Sequence, residues 1–98
     1  MPKRFTVRVE LHGAEDAPEI YGELHETMQK HHFSRTIKIN DVTYDLPSAE
    51  YNRFGDSLSG KQVLEDAKEA AYEVWDEFSV LVTPTTENRL QYNLKKAR

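Results

Sequence analysis

Apolar and polar residues first alternate with period two. Phe5, Val7, Val9 and Leu11 are interleaved with Thr6, Arg8, Glu10 and His12, which predicts a strand with one buried face. Gly13 to Asp16 reads as a turn, with Asp16 as N-cap and Pro18 in the first turn of a helix. Ile20, Tyr21, Leu24, Met28 and His31 recur at helical spacing, so this helix is expected over about 17–32. A second strand is expected from Phe33 to Asn40, with Ile37 and Ile39 on one face. Asn40-Asp41 suits a tight turn. Val42, Tyr44 and Leu46 then mark a third strand, which Pro47 ends. Residues 48–59, rich in Ser, Asn, Asp and Gly, read as a loop.

The strongest helical stripe follows. Val63, Leu64, Ala67, Ala70, Ala71, Val74 and Trp75 line one side, and Ser59 is the expected N-cap. Trp75 is expected between this helix and the sheet. Phe78 to Thr83 is β-branched and short, a fourth strand. Leu90, Tyr92 and Leu94 alternate with polar residues and predict an extra C-terminal strand in a hairpin with it. The order is β-α-β-β-α-β plus that strand. The fold class is therefore α+β, a ferredoxin-like βαββαβ sandwich. Both helices should cover one face of an antiparallel sheet, with strands one and three central. The open face would carry Thr6, Arg8, Glu10, His12, Thr43 and Asp45, and a dimer partner or a ligand would cover it.

Composition narrows the classes. The chain has 98 residues, which fits one domain spanning 1–98. It lacks cysteine, so disulfides, thiolate zinc sites and thiol catalysis are excluded. No apolar run approaches the roughly 20 residues needed to span a bilayer. Met1 to Phe5 leads directly into the strand pattern without a signal peptide's apolar region, so a cytoplasmic protein is expected. The formal charge is −4, yet it is segregated. Lys3, Arg4 and Arg8 open the chain, and an acidic stretch runs from residue 9 to 29. Lys30, Arg35 and Lys38 form a second basic zone beside His31 and His32. The region 61–77 is acidic, and Arg89, Lys95, Lys96 and Arg98 close the sequence. A local basic surface arises only if the fold gathers those zones.

No catalytic motif of high specificity is present, and the scattered glycines build no phosphate loop. His25 and Gln29 have helical ligand spacing but offer one good metal ligand, so no metal and no cofactor are expected. Arg8, Glu10 and His12 share one strand face. An acid, an imidazole and a guanidinium suffice for metal-free RNA cleavage, in which the 2′-hydroxyl is the nucleophile. Tyr51, in the expected loop, would be exposed to stack on a base.

Four segments carry a family resemblance: Phe5-Thr6-Val7-Arg8-Val9-Glu10-Leu11-His12, Tyr21…Leu24-His25…Met28, Phe33-Ser34-Arg35-Thr36-Ile37, and Tyr44…Leu46-Pro47…Glu50-Tyr51. In their order they resemble the GhoS family, antitoxins of type V toxin–antitoxin systems, over nearly the whole chain. The resemblance implies a ferredoxin-like endoribonuclease that cleaves the messenger RNA of a small membrane-damaging toxin. The fold is also similar to that of small CRISPR-adaptation nucleases, which keep an acidic residue where this chain has His12. The family carries arginine near the place of His25. Glu10, His12 and His25 are then the acid–base candidates, and Arg8, Arg35, Lys38 and Tyr51 the RNA contacts. A two-histidine mechanism would need His12 near His25. The other reading is a non-catalytic interaction or RNA-binding module, dimerising through the open sheet or the edge strand around Leu90 to Leu94.

Overall fold

A computed structural model describes residues 3–14, 17–47, 49–55, 57–85, 90 and 93–97. Among these residues, five strands and two helices occur in the order β1 (Lys3–Leu11), α1 (Pro18–Lys30), β2 (Thr36–Ile39), β3 (Val42–Asp45), β4 (Glu50–Gly55), α2 (Gly60–Tyr72) and β5 (Phe78–Thr85). The fold is α+β and both sheets are antiparallel. One sheet has the order β4-β1-β5 and the other is the β2–β3 hairpin. Asn40 and Asp41 both have positive φ, 50° and 67°, so the hairpin closes on the expected two-residue turn.

The central strand is β1, paired with β4 on one side and β5 on the other. Its four apolar residues are buried and join Leu24 and Met28 of α1 and Val63, Ala67, Ala70 and Ala71 of α2 in one core. Alanines at the α2 contact let that helix lie close to the strands. Ser59 caps α2 as expected, its hydroxyl accepting from Gln62 N at 3.1 Å. Asp16, the expected cap of α1, lies outside the described residues. The N-cap position is Ala17, which offers no side-chain bond. At its other end α1 closes with Phe33 N–H on Met28 O (2.9 Å) and His32 N–H on Gln29 O (3.0 Å). His32 therefore occupies the left-handed position, φ 73°, where glycine is usual.

Several expectations are corrected. Residues 42–46 are not a central strand: Val42 to Asp45 pair only with β2 and, through Tyr44, with Lys96. Thr43 and Asp45 therefore do not line the open face. The strand that pairs with β1 there is instead β4, inside the segment read as a loop. The second strand is shorter than expected, and Ser34 reaches β4 only through a bridge to Asn52. The described sheet thus has three strands. Helix α2 ends at Tyr72, so Trp75 follows the helix. Its half-buried indole packs on the core and donates to His12 O at 2.7 Å. The expected C-terminal strand falls partly on residues outside the description. Its described members Leu90, Asn93 and Leu94 are not in a strand. Lys95 O and Ala97 N bond Asp45 N and Thr43 O, so this segment lies along β3.

A buried arginine ties the layers together. Arg53 of β4 faces the helices, donating to His31 O (2.8 Å) and Asp66 (3.2 Å) with its guanidinium 4.9 Å from the Phe33 ring. Among the described residues, no helix is long and apolar enough to cross a membrane.

Candidate functional site

Strand β4 begins at Glu50, opposite Arg8, so the rest of β1 has no ladder partner on that side. Two groups satisfy its N–H donors instead. Ala49 O accepts from Val9 N at 2.9 Å, and the Tyr21 hydroxyl accepts from Leu11 N at 3.0 Å. Where β4 is missing, a cleft of about 520 Å³ opens between β1 and α1, lined by Arg8, Glu10, Pro18, Tyr21, His25 and Ala49. Ala49 holds a left-handed backbone, φ 71°. Arg35 fixes this bend: its guanidinium donates to Pro47 O (2.8 Å), Leu46 O (2.9 Å) and Glu50 O.

His25 is the half-buried centre of the site. Its Nδ1 lies 2.6 Å from the Tyr51 hydroxyl, and the rings meet edge to face at 5.6 Å. Burial, and then the positive charge of Arg35, hold its pKa below the ordinary imidazole value of 6.5. Tyr51 is fully buried, and burial raises its phenol far above the usual range even though Arg35 opposes the shift. The phenol therefore stays protonated. When His25 is neutral, either group donates across the pair, depending on the tautomer. When His25 is protonated, its Nδ1–H donates to the phenol oxygen, and Nε2–H has no partner among the described residues.

His25 also lines a second cleft of about 460 Å³, with Glu26, Gln29, His32, Phe33, Ser34, Arg35 and Thr36. One imidazole thus separates two clefts, and each contains a non-glycine residue with positive φ, Ala49 in one and His32 in the other. Such strain persists only where the surrounding structure enforces it, and it concentrates at functional sites.

Of the expected residues, Arg8, Glu10 and His25 come together in the first cleft. His12 does not join them. Its Nε2 lies 2.7 Å from Ser79 Oγ on the face of the sheet away from the helices, whereas His25 bonds a tyrosine within the core. The two-histidine arrangement is therefore not formed. Tyr51 is not an exposed stacking platform, because it lies on β4 with its ring in the core. Arg35 is held by three backbone carbonyls. Lys38 is exposed on the separate β2–β3 hairpin. Sequence reasoning missed Tyr21 and Ala49. The signal for Tyr21 was its position one turn before His25 on the same helix. Among the described residues, no group of three or more histidine, aspartate and glutamate side chains is placed to hold a metal ion.

The chain matches no protein-family model, no curated protein and no solved structure.

Proposed function

We propose that this protein is a cytoplasmic, antitoxin-like endoribonuclease of the GhoS kind, cleaving single-stranded toxin messenger RNA without a metal ion. The observation that carries this reading is the single cleft shared by Arg8, Glu10 and His25. Glu10 as carboxylate takes the proton of the 2′-hydroxyl, and the 2′-oxygen attacks phosphorus. The P–O5′ bond breaks, and His25 imidazolium gives its Nε2 proton to the leaving 5′-oxygen. The products are a 2′,3′-cyclic phosphate and a free 5′-hydroxyl. Arg8, with 58% of its side chain exposed and only a 4.0 Å contact to Glu50, supplies positive charge to the phosphorane. Tyr51 is a positioning residue that holds the His25 ring. The reading includes a ferredoxin-like sheet whose second strand has shrunk to Ser34. The β4-β1-β5 order and the Ser34–Asn52 bridge support it.

The test is incubation of the chain with mixed single-stranded RNA in chelator. Cyclic-phosphate ends should appear, be lost in Glu10→Gln and His25→Ala, and persist in His12→Ala. Cleavage that needs magnesium, or that survives His25→Ala, overturns the mechanism.

One observation favours a second reading, a non-catalytic module that dimerises. Phe54 of β4 and Leu81 of β5 are 57% and 64% exposed, on the sheet face opposite the buried Tyr51 and Arg53. Absence of any cleavage, together with a concentration-dependent dimer abolished by Leu81→Lys, would select it.

A further inference from the structure

The two clefts flanking His25 differ in chemistry. The first contains Arg8, an exposed cation suited to a phosphate. The second contains no fixed positive charge available to a ligand. Its one guanidinium, Arg35, is occupied by the carbonyls of Leu46, Pro47 and Glu50. It contains instead the carboxylate of Glu26, which would repel a phosphate. Glu26 and Gln29 lie one helical turn apart on α1, so their side chains project side by side. Neither has a partner among the described residues. The exposed ring of His32 and the buried ring of Phe33 border the same space. Its volume of about 460 Å³ falls within the roughly 300–1,000 Å³ usual for small-molecule clefts.

A ligand that suits this cleft is flat, carries no charge and offers hydrogen-bond donors to a carboxylate. Unpaired bases of single-stranded RNA are flat, stack on histidine and are read on their Watson–Crick edges. Among them guanine alone presents two adjacent donors, N1–H and the N2 amino group, matching the two oxygens of a carboxylate. Its neighbouring O6 would accept from the Gln29 amide. Uracil presents one N–H between two carbonyl oxygens, which a carboxylate repels. We propose that the second cleft is a guanine subsite. Glu26 and Gln29 read the base, and His32 stacks on it, beside the phosphate bound in the first cleft. This rests on the RNA-cleaving reading for its substrate, but it makes a claim about binding that does not require cleavage.

The experiment uses the full chain and two non-cleavable 2′-O-methyl oligonucleotides, one all uridine and one with a single central guanosine. The guanosine oligomer should bind about 5- to 150-fold more tightly, the discrimination typical of one bidentate base contact. Glu26→Gln should abolish that ratio, by lowering the guanosine affinity and raising the uridine affinity. If Glu26→Gln fails to fold, Gln29→Ala serves in its place and should reduce the ratio. Equal binding of the two oligomers overturns the subsite even if the chain cleaves RNA. Selective binding by a chain that cleaves nothing upholds the subsite and removes the mechanism instead.

Discussion

Replacing Arg35 by lysine separates two roles for the same residue. From the sequence alone it is a phosphate contact. In the structure its guanidinium spans the carbonyls of Leu46, Pro47 and Glu50 and fixes the bend at the mouth of the first cleft. An ammonium cannot reproduce that fork. It can hold one of the three carbonyls and loses two. Hydrogen bonds from a charged donor contribute about 1.5–3 kcal/mol each. Arg35 is partly exposed, so water recovers some of the loss, and the lower end applies. The expected destabilisation is about 2–3 kcal/mol, which for a domain near 100 residues lowers Tm by roughly 10–20 °C. Urea unfolding should show a lower midpoint with unchanged m. The salt dependence of RNA binding should keep its slope, because no phosphate contact is removed. Arg8→Gln should do the opposite, leaving stability intact and flattening the slope by about 0.7. An Arg35→Lys protein of wild-type stability with a flattened slope would refute the reasoning.

Titration, backbone strain and a buried ion pair each set a further outcome. His25 has a folded pKa below its unfolded value, so the unfolded chain binds that proton first as pH falls. Its contribution to stability is present above pH 6.5 and is lost as pH drops through the folded value. Urea midpoints of wild type and His25→Gln measured from pH 7.5 to 4.5 should therefore diverge above pH 6.5 and converge below. Parallel curves would contradict the shift. The alkaline limb of RNA cleavage should likewise lie below pH 6.5, and a limb above it would reject His25 as the acid. His32→Gly should raise stability by about 1 kcal/mol, because it relieves the left-handed backbone at the end of α1; thermal unfolding at pH 7 checks this. Arg53→Met should cost about 2–4 kcal/mol, since it strands Asp66 and the His31 carbonyl. A loss under 1 kcal/mol in urea unfolding would mean that the arginine is not the link between α1 and α2.

Elements whose burial follows a regular period were legible in the sequence. The β1 alternation, the α2 alanine stripe and the Asn40-Asp41 turn all appear where the pattern places them. Strand β4 was not legible because its polarity is partly inverted. Arg53 faces the core while Phe54 faces outward, so the segment shows no period-two hydrophobic signal. What keeps Arg53 inside is a set of partners distant in sequence: the His31 carbonyl, Asp66 and the Phe33 ring. No local pattern encodes these. The better alternation of residues 42–46 points to them instead as the strand beside β1, the place that β4 holds. Val42 and Tyr44 are only half-buried on their inner side and belong to a separate hairpin.

The candidate site divides the same way. Arg8 and Glu10 share a face by strand parity, which the sequence displays. Parity also aligned His12 with them, but parity does not say which strand the side chain leans on, and His12 goes to Ser79 on β5. The opposite edge of β1 is the one left open, because β4 starts only at Glu50. Its position is set by the bend at Ala49 and by the three carbonyls held on Arg35. Glu10 and His25 therefore border one cleft across a missing stretch of strand rather than lying along a continuous surface. This also explains why the site has two clefts. The same β4 that stops short to open the first supplies Tyr51, whose hydroxyl holds the His25 ring between them. The backbone strain at Ala49 and His32 fixes the walls on either side. A substitution that lengthened β4 past Glu50 would close the first cleft without touching any of the three residues proposed for chemistry.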